Sequence, residues 1–192
     1  MTDATIFDGR LRADPALSWS AIFAGSLVAL ASSILLTILA AGFGYDLAAG
    51  ALASRGSLAG FTPEVGAVAV VIQVVSAGLG GYLAGRLRHV WSAAHADEAH
   101  FRDTAQGLIV WALATVAGVV LTALVIAPYA EQLAAATVPL APMDTDAVRA
   151  GHIAAQSAFF TAVGMLLSAF IAAVAARIGG LHTEHMHRQV AA

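Results

Sequence analysis

The sequence predicts an all-α polytopic membrane protein, a bundle of four transmembrane helices. Composition is the first reason. Hydrophobic residues fill 59% of the 192 positions, charged residues only 11%, and the mean hydropathy is +0.81. A soluble domain carries about 25% charged residues, so this chain has too few charges to cover a surface in water. The second reason is spacing: the stretches 15–45, 65–85, 104–130 and 150–176 contain no Asp, Glu, Lys or Arg. About 20 apolar residues in a helix cross the hydrocarbon core. Third, none of these stretches alternates apolar with polar residues as a barrel strand does, and in lipid only a helix satisfies its own backbone within one segment.

The first span is expected near 18–43, after a cytoplasmic segment 1–17. Its apolar core runs about 25 residues, beyond the 7–15 of a signal peptide, so it reads as a retained helix. Small residues recur every fourth position along it: Gly25, Ala29, Ser33, Thr37 and Ala41. The second span, near 64–87, carries two such rows, Ser76–Gly80–Ala84 and Ala77–Gly81–Gly85, and ends in Arg86 and Arg88. A phosphate-cradling loop would need a preceding strand and a Lys-Ser or Lys-Thr ending; the chain has no Lys. The third span, near 104–127, has the less regular row Ala114, Gly118, Thr122. The fourth, near 152–177, has Gly164, Ser168, Ala172 and Ala176, and a His-containing tail, 178–192, follows it. Lipid tails are as apolar as leucine, so helices associate in membranes by close packing, and small residues let backbones approach. The stripes therefore mark helix contacts, inside the bundle or with a partner chain.

Arginine placement sets the expected orientation. Arg10, Arg12, Arg86, Arg88, Arg102, Arg177 and Arg188 fall on one side, and Arg55 and Arg149 on the other. The positive-inside bias puts both termini and the loop between the second and third spans in the cytoplasm. Trp19, Trp91, Tyr45 and Tyr129 stand near span ends, as interfacial aromatic belts do, whereas Trp111 lies about two turns inside its span and suits a neighbouring helix better. A duplication is also suggested: SAGLGGYLAGRL at 76–87 resembles SAFIAAVAARIGG at 168–180. Span, outer loop, span would then occur twice in the same orientation, related by an axis along the membrane normal.

Little in the chain points to chemistry. There is no cysteine, and the net charge of −3 with scattered arginines gives no footprint for nucleic acid. Intramembrane charges mark ion paths and proton relays, and the four stretches have none. Gln73 is the most polar side chain in mid-span; it suits a pore contact or an interhelical hydrogen bond. His152 and Gln156 open the fourth span near the outer surface. His95, Asp97, Glu98 and His100, and then His182, Glu184, His185 and His187, have spacings that could ligate a divalent ion or sense pH, or simply form a solvated helix and tail. No serine stands with a histidine and an acid as a triad would. No catalytic, cofactor or metal residue is assigned.

The segments Trp19-Ser-Ala-Ile-Phe-Ala-Gly25, Gly80-Gly-Tyr-Leu-Ala-Gly-Arg-Leu87 and Asp103-Thr-Ala-Gln-Gly-Leu-Ile-Val-Trp-Ala112 together resemble a group of small bacterial inner-membrane proteins, some labelled "PhnA-like". The resemblance covers about 20–177 and implies a multi-pass inner-membrane protein. It implies no activity, and nothing in these residues supports the phosphonate chemistry that the label suggests. Gln106 stands where that group leads one to expect a histidine. Three readings follow for this non-enzymatic chain. The first is a structural or accessory component that associates with itself or a larger membrane complex through its small-residue faces. The second is a small channel or carrier for a neutral solute. The third is a metal- or pH-responsive protein using the cytoplasmic histidines.

Overall fold

The computed structural model describes residues 17–45, 47, 61–88, 96–129 and 144–190. Among these, every regular element is helical: α1 (Trp19–Gly42), α2 (Pro63–Leu87), α3 (Ala96–Ile126), a single 3-10 turn at Ala127–Tyr129, and α4 (Asp144–Val190). All four α-helices contain windows long and apolar enough to cross a membrane.

Local sequence explains where the helices begin and end. A Schellman closure ends α1: Tyr45 N–H donates to Ala40 O (3.0 Å) and Gly44 N–H to Ala41 O (2.9 Å), with Gly44 at φ +87°. That left-handed position favours glycine, which has no Cβ to clash. Thr62 caps α2 by accepting the Val65 N–H at 3.4 Å, and Pro63 takes the first turn, where its missing N–H costs nothing. Arg88 adopts extended backbone at φ −70°, ψ 152° and turns the chain out of α2. Pro128 falls in the 3-10 turn that closes α3; a proline disfavours helical geometry in the residue before it.

Two helices exceed the sequence expectation. α3 starts at Ala96 rather than near 104, and α4 runs through the segment expected to be a tail. At 1.5 Å per residue, the 47 residues of α4 extend about 70 Å, far more than the membrane core requires. No proline interrupts 178–190, and Thr183 Oγ1 holds this extension to α2 by donating to Arg86 O at 3.2 Å. The helix therefore has no local reason to stop at Arg177.

Contacts define two antiparallel hairpins, α1–α2 and α3–α4. In the first, Gly25 lies against Gly80 O and the Ala84 side chain. In the second, Gly107 lies against Ala172 O and the Ala176 side chain. Gly25 and Gly107 are thus structural counterparts, as are Gly80 and Ala172, and Ala84 and Ala176. The hairpins lie side by side, with α1 along α3 and α2 along α4 in parallel. Gly81 and Gly85 of α2 meet the carbonyls of Ala172 and Ala176 in α4. A half-turn about the membrane normal would make α1–α4 the counterpart of α2–α3, but only α2–α3 is packed among the described residues. The contacts of the two hairpins therefore fit a lateral displacement better than the axial relation expected from the sequence. Ile22, Ala84 and Val110 form the fully buried centre of the packed half.

Candidate functional site

Each stripe residue can now be placed. Gly25, Gly80, Gly81, Ala84, Gly85 and Ala172 are buried between helices of this chain, most of them with backbone so close that a Cβ would overlap a facing carbonyl oxygen. Gly164 is buried against the Gln73 carboxamide. Ala29, Ser76 and Ser168 are also buried, Ala29 against Gly80, and with Ser33 they border a cavity.

That cavity is about 410 Å³ and lies among all four helices, away from the arginine-bearing end. Its size is at the lower end of the range for small-molecule sites, about 300–1,000 Å³. Polar groups from every helix reach it: Ser33 from α1, Gln73 and Ser76 from α2, Trp111, Thr115 and Thr122 from α3, and Ser168 from α4. Most of the hydroxyls whose bonds are resolved are satisfied within the protein. Ser33 Oγ donates to Leu30 O (2.8 Å), Thr115 Oγ1 to Trp111 O (2.8 Å) and Ser168 Oγ to Met165 O (3.0 Å). Trp111 Nε1–H donates to Ser168 Oγ at 2.9 Å, so the indole faces a neighbouring helix and not the interface belt.

Two atoms have no such partner. Gln73 Oε1 and Ser76 Oγ are enclosed and accept or donate no hydrogen bond, and Ser76 is only 3% exposed. The interhelical hydrogen bond suggested for Gln73 is not made by its Oε1. Leaving such a group unmade costs about 1–3 kcal/mol, so it is a feature requiring explanation.

The arginine-bearing end is closed by a second polar cluster. Arg88 Nε pairs with Asp103 Oδ1 at 2.6 Å, with the side chains 1% and 2% exposed. Gly180 of α4 packs on both partners, and a side chain there would collide with them. One turn further in, Gln106 Nε2 donates to Ala84 O at 3.0 Å, and Ser26 Oγ is shared between Ile22 O (2.8 Å) and Val110 O (3.2 Å). Gln106, 1% exposed, thus ties α3 to α2. Sequence reasoning placed Arg88 and Asp103 just outside the spans. The clue it had was an acid opening one apolar stretch and an arginine closing another, both expected on the same side.

The histidine clusters are only partly visible. His182 Nδ1 lies 2.9 Å from Ile178 O, and its ring meets Tyr82 edge-on. His95 and the side chains of Asp97, Glu98, Glu184, His185 and His187 lie outside the described residues, as does Trp91. Among the described residues no three potential ligands converge.

The fold and the apolar helices define the class: a multi-pass, all-α membrane protein that sits in a lipid bilayer. A comparison with protein families, with curated proteins and with solved structures returns no match.

Proposed function

We propose that this chain is a non-enzymatic carrier or channel for a small neutral solute, with its site in the intramembrane cavity. The observation that supports it is the 410 Å³ space among the four helices, lined by Ser33, Gln73, Thr115 and Thr122 together with apolar side chains. A few polar groups on mostly apolar walls are what a site for a small solute needs. Among the described residues no Asp, Glu, Lys, Arg or His lines the cavity, which favours a neutral solute over an ion. The count of seven arginines against two supports an orientation with both termini in the cytoplasm, and the resemblance to small bacterial inner-membrane proteins supports that membrane.

The accessory-component reading is the rival. Its argument was a set of small-residue faces free to bind other subunits, and most of those faces are already occupied within this chain. The test is solute flux into proteoliposomes, followed by stopped-flow light scattering with glycerol and urea. Expected is a flux above empty liposomes that falls at least several-fold in Gln73→Leu. Flux no greater than the empty control, with a foreign subunit seen by native mass spectrometry of gently extracted membranes, would return the chain to the accessory class.

A further inference from the structure

α3 is held firmly at one end and unsupported at the other. Its arginine-bearing end is tied to neighbouring helices in four places: Asp103 to Arg88, Gln106 Nε2 to Ala84 O, Gly107 against the Ala172 backbone, and Trp111 Nε1 to Ser168 Oγ. From Val119 to Val125, by contrast, every residue is exposed. Seven residues are about two turns, so this stretch of helix has no buried face against any described residue. The other helices keep buried contacts at the same end. Gly66 of α2 packs on Phe160 of α4, Gly164 of α4 packs on Gln73 of α2, and Ala40 is buried near the end of α1.

The change in α3 falls between Thr115 and Gly118. Thr115 Oγ1 donates to Trp111 O at 2.8 Å, a back-bond to the helix's own carbonyl that favours bending. Gly118 is the weakest helix former after proline, and a Cβ there would meet only Leu30 Cδ1 at 3.6 Å, so no neighbour clamps this turn. Beyond it, the unsupported segment is a wall of the cavity. Val119, Thr122 and Ala123 line the space, and their spacing puts them on one face of the helix.

We infer that α3 is hinged at Thr115–Gly118 and that its last two turns are the gate of the cavity. Swinging inward lays Val119, Thr122 and Ala123 on Leu30 and Ser33 of α1 and closes the space; the straight helix of this structure is the open form. Hinges use a few residues, often small, that absorb a backbone change between two packed bodies, and lids come from segments with few buried contacts. Here the fixed body is the α2–α4 pair with the anchored part of α3. What the gate passes rests on the solute reading above; the hinge itself does not.

The chain has no cysteine, so spin labels can be placed in pairs on the full protein in nanodiscs and their separation read by double electron–electron resonance. Val125→Cys with Phe159→Cys spans α3 and α4. Ala67→Cys with Phe159→Cys spans α2 and α4 and serves as the reference. All three positions are exposed. The first pair should give two distances and the reference a single narrow one. Gly118→Ala favours unbroken helix, so the population with the gate swung inward should fall by up to about fivefold, and glycerol or urea flux should slow although the fold is no less stable. One narrow distance for both pairs, or a distribution unchanged in Gly118→Ala, overturns the hinge. Flux through a chain whose α3 gives one distance keeps the carrier reading and removes the gate. Two distances that respond to Gly118→Ala, in a chain that passes no solute, keep the hinge and remove the carrier reading.

Discussion

The bundle has two unlike halves. Toward the arginine-bearing end, backbones touch: Gly25 on Gly80, Gly81 on Ala172, Gly85 on Ala176 and Gly107 on Ala172. The Arg88–Asp103 pair, Gln106 and Ser26 stitch the same region across helices. Toward the other end α2 stays packed on α4, with Gly66 against Phe160 and Gly164 against Gln73, whereas α1 and α3 border the cavity through Ser33, Gly118, Val119 and Thr122. Glycine density alone does not cause this difference. Gly118 sits in the loose half, where a Cβ would meet only Leu30 Cδ1 at 3.6 Å. What distinguishes the tight half is that small residues face small residues on two helices at the same height. Attraction in lipid depends on that close packing, so a small residue opposite a gap contributes little.

The largest expected effect tests the seal of the tight half. Asp103→Ala leaves Arg88 buried without its carboxylate, and breaking a buried pair costs about 3–5 kcal/mol. The double change Arg88→Met with Asp103→Leu removes both charges and should recover most of that loss. Unfolding by SDS in mixed micelles, followed by circular dichroism, measures both variants. A double variant as unstable as the single one would show that the pair is not the source of the stability.

Next comes a contrast in sign between the halves. Gly85→Ala pushes a methyl group into the Ala176 backbone, and such overpacking costs about 1–3 kcal/mol. Gly118→Ala has room, so only helix propensity acts, a gain of up to about 1 kcal/mol. The same unfolding assay should show one variant less stable and the other more stable than the parent. Losses of equal size would mean that the outer half is packed as closely as the inner.

How far the sequence foretold this follows from the same contrast. Four spans were legible because lipid imposes a length and forbids charge. The stripes were legible as rows but not as contacts. The row in α4 is buried from Gly164 to Ala176, whereas in α1 it is buried at Gly25 and Ala29 and lies exposed at Thr37 and Ala41. A row states what one helix could do, and a contact needs the height and tilt of the partner. Arg88 with Asp103 and Trp111 with Ser168 were hidden for that reason, since each joins different helices. The cavity was hidden further, because it is lined by residues of all four helices. The extension of α4 beyond Arg177 was missed because charge ends a membrane span without ending a helix.

The smallest effect separates Ser168 from Ser76, residues in matching positions of the two hairpins. Ser168→Ala removes the acceptor of the Trp111 indole. Interhelical hydrogen bonds in membranes average about 0.6 kcal/mol, and the orphaned N–H brings the expected loss to about 1 kcal/mol. Ser76→Ala removes a hydroxyl that bonds to nothing in the chain, so without a solute the variant should be as stable as the parent or slightly more so. Measured in solute-free nanodiscs, the two substitutions therefore differ although the residues are identical and both are buried. Equal losses in the absence of solute would mean that Ser76 already has a partner, and the space beside it would then be filled by the protein's own packing.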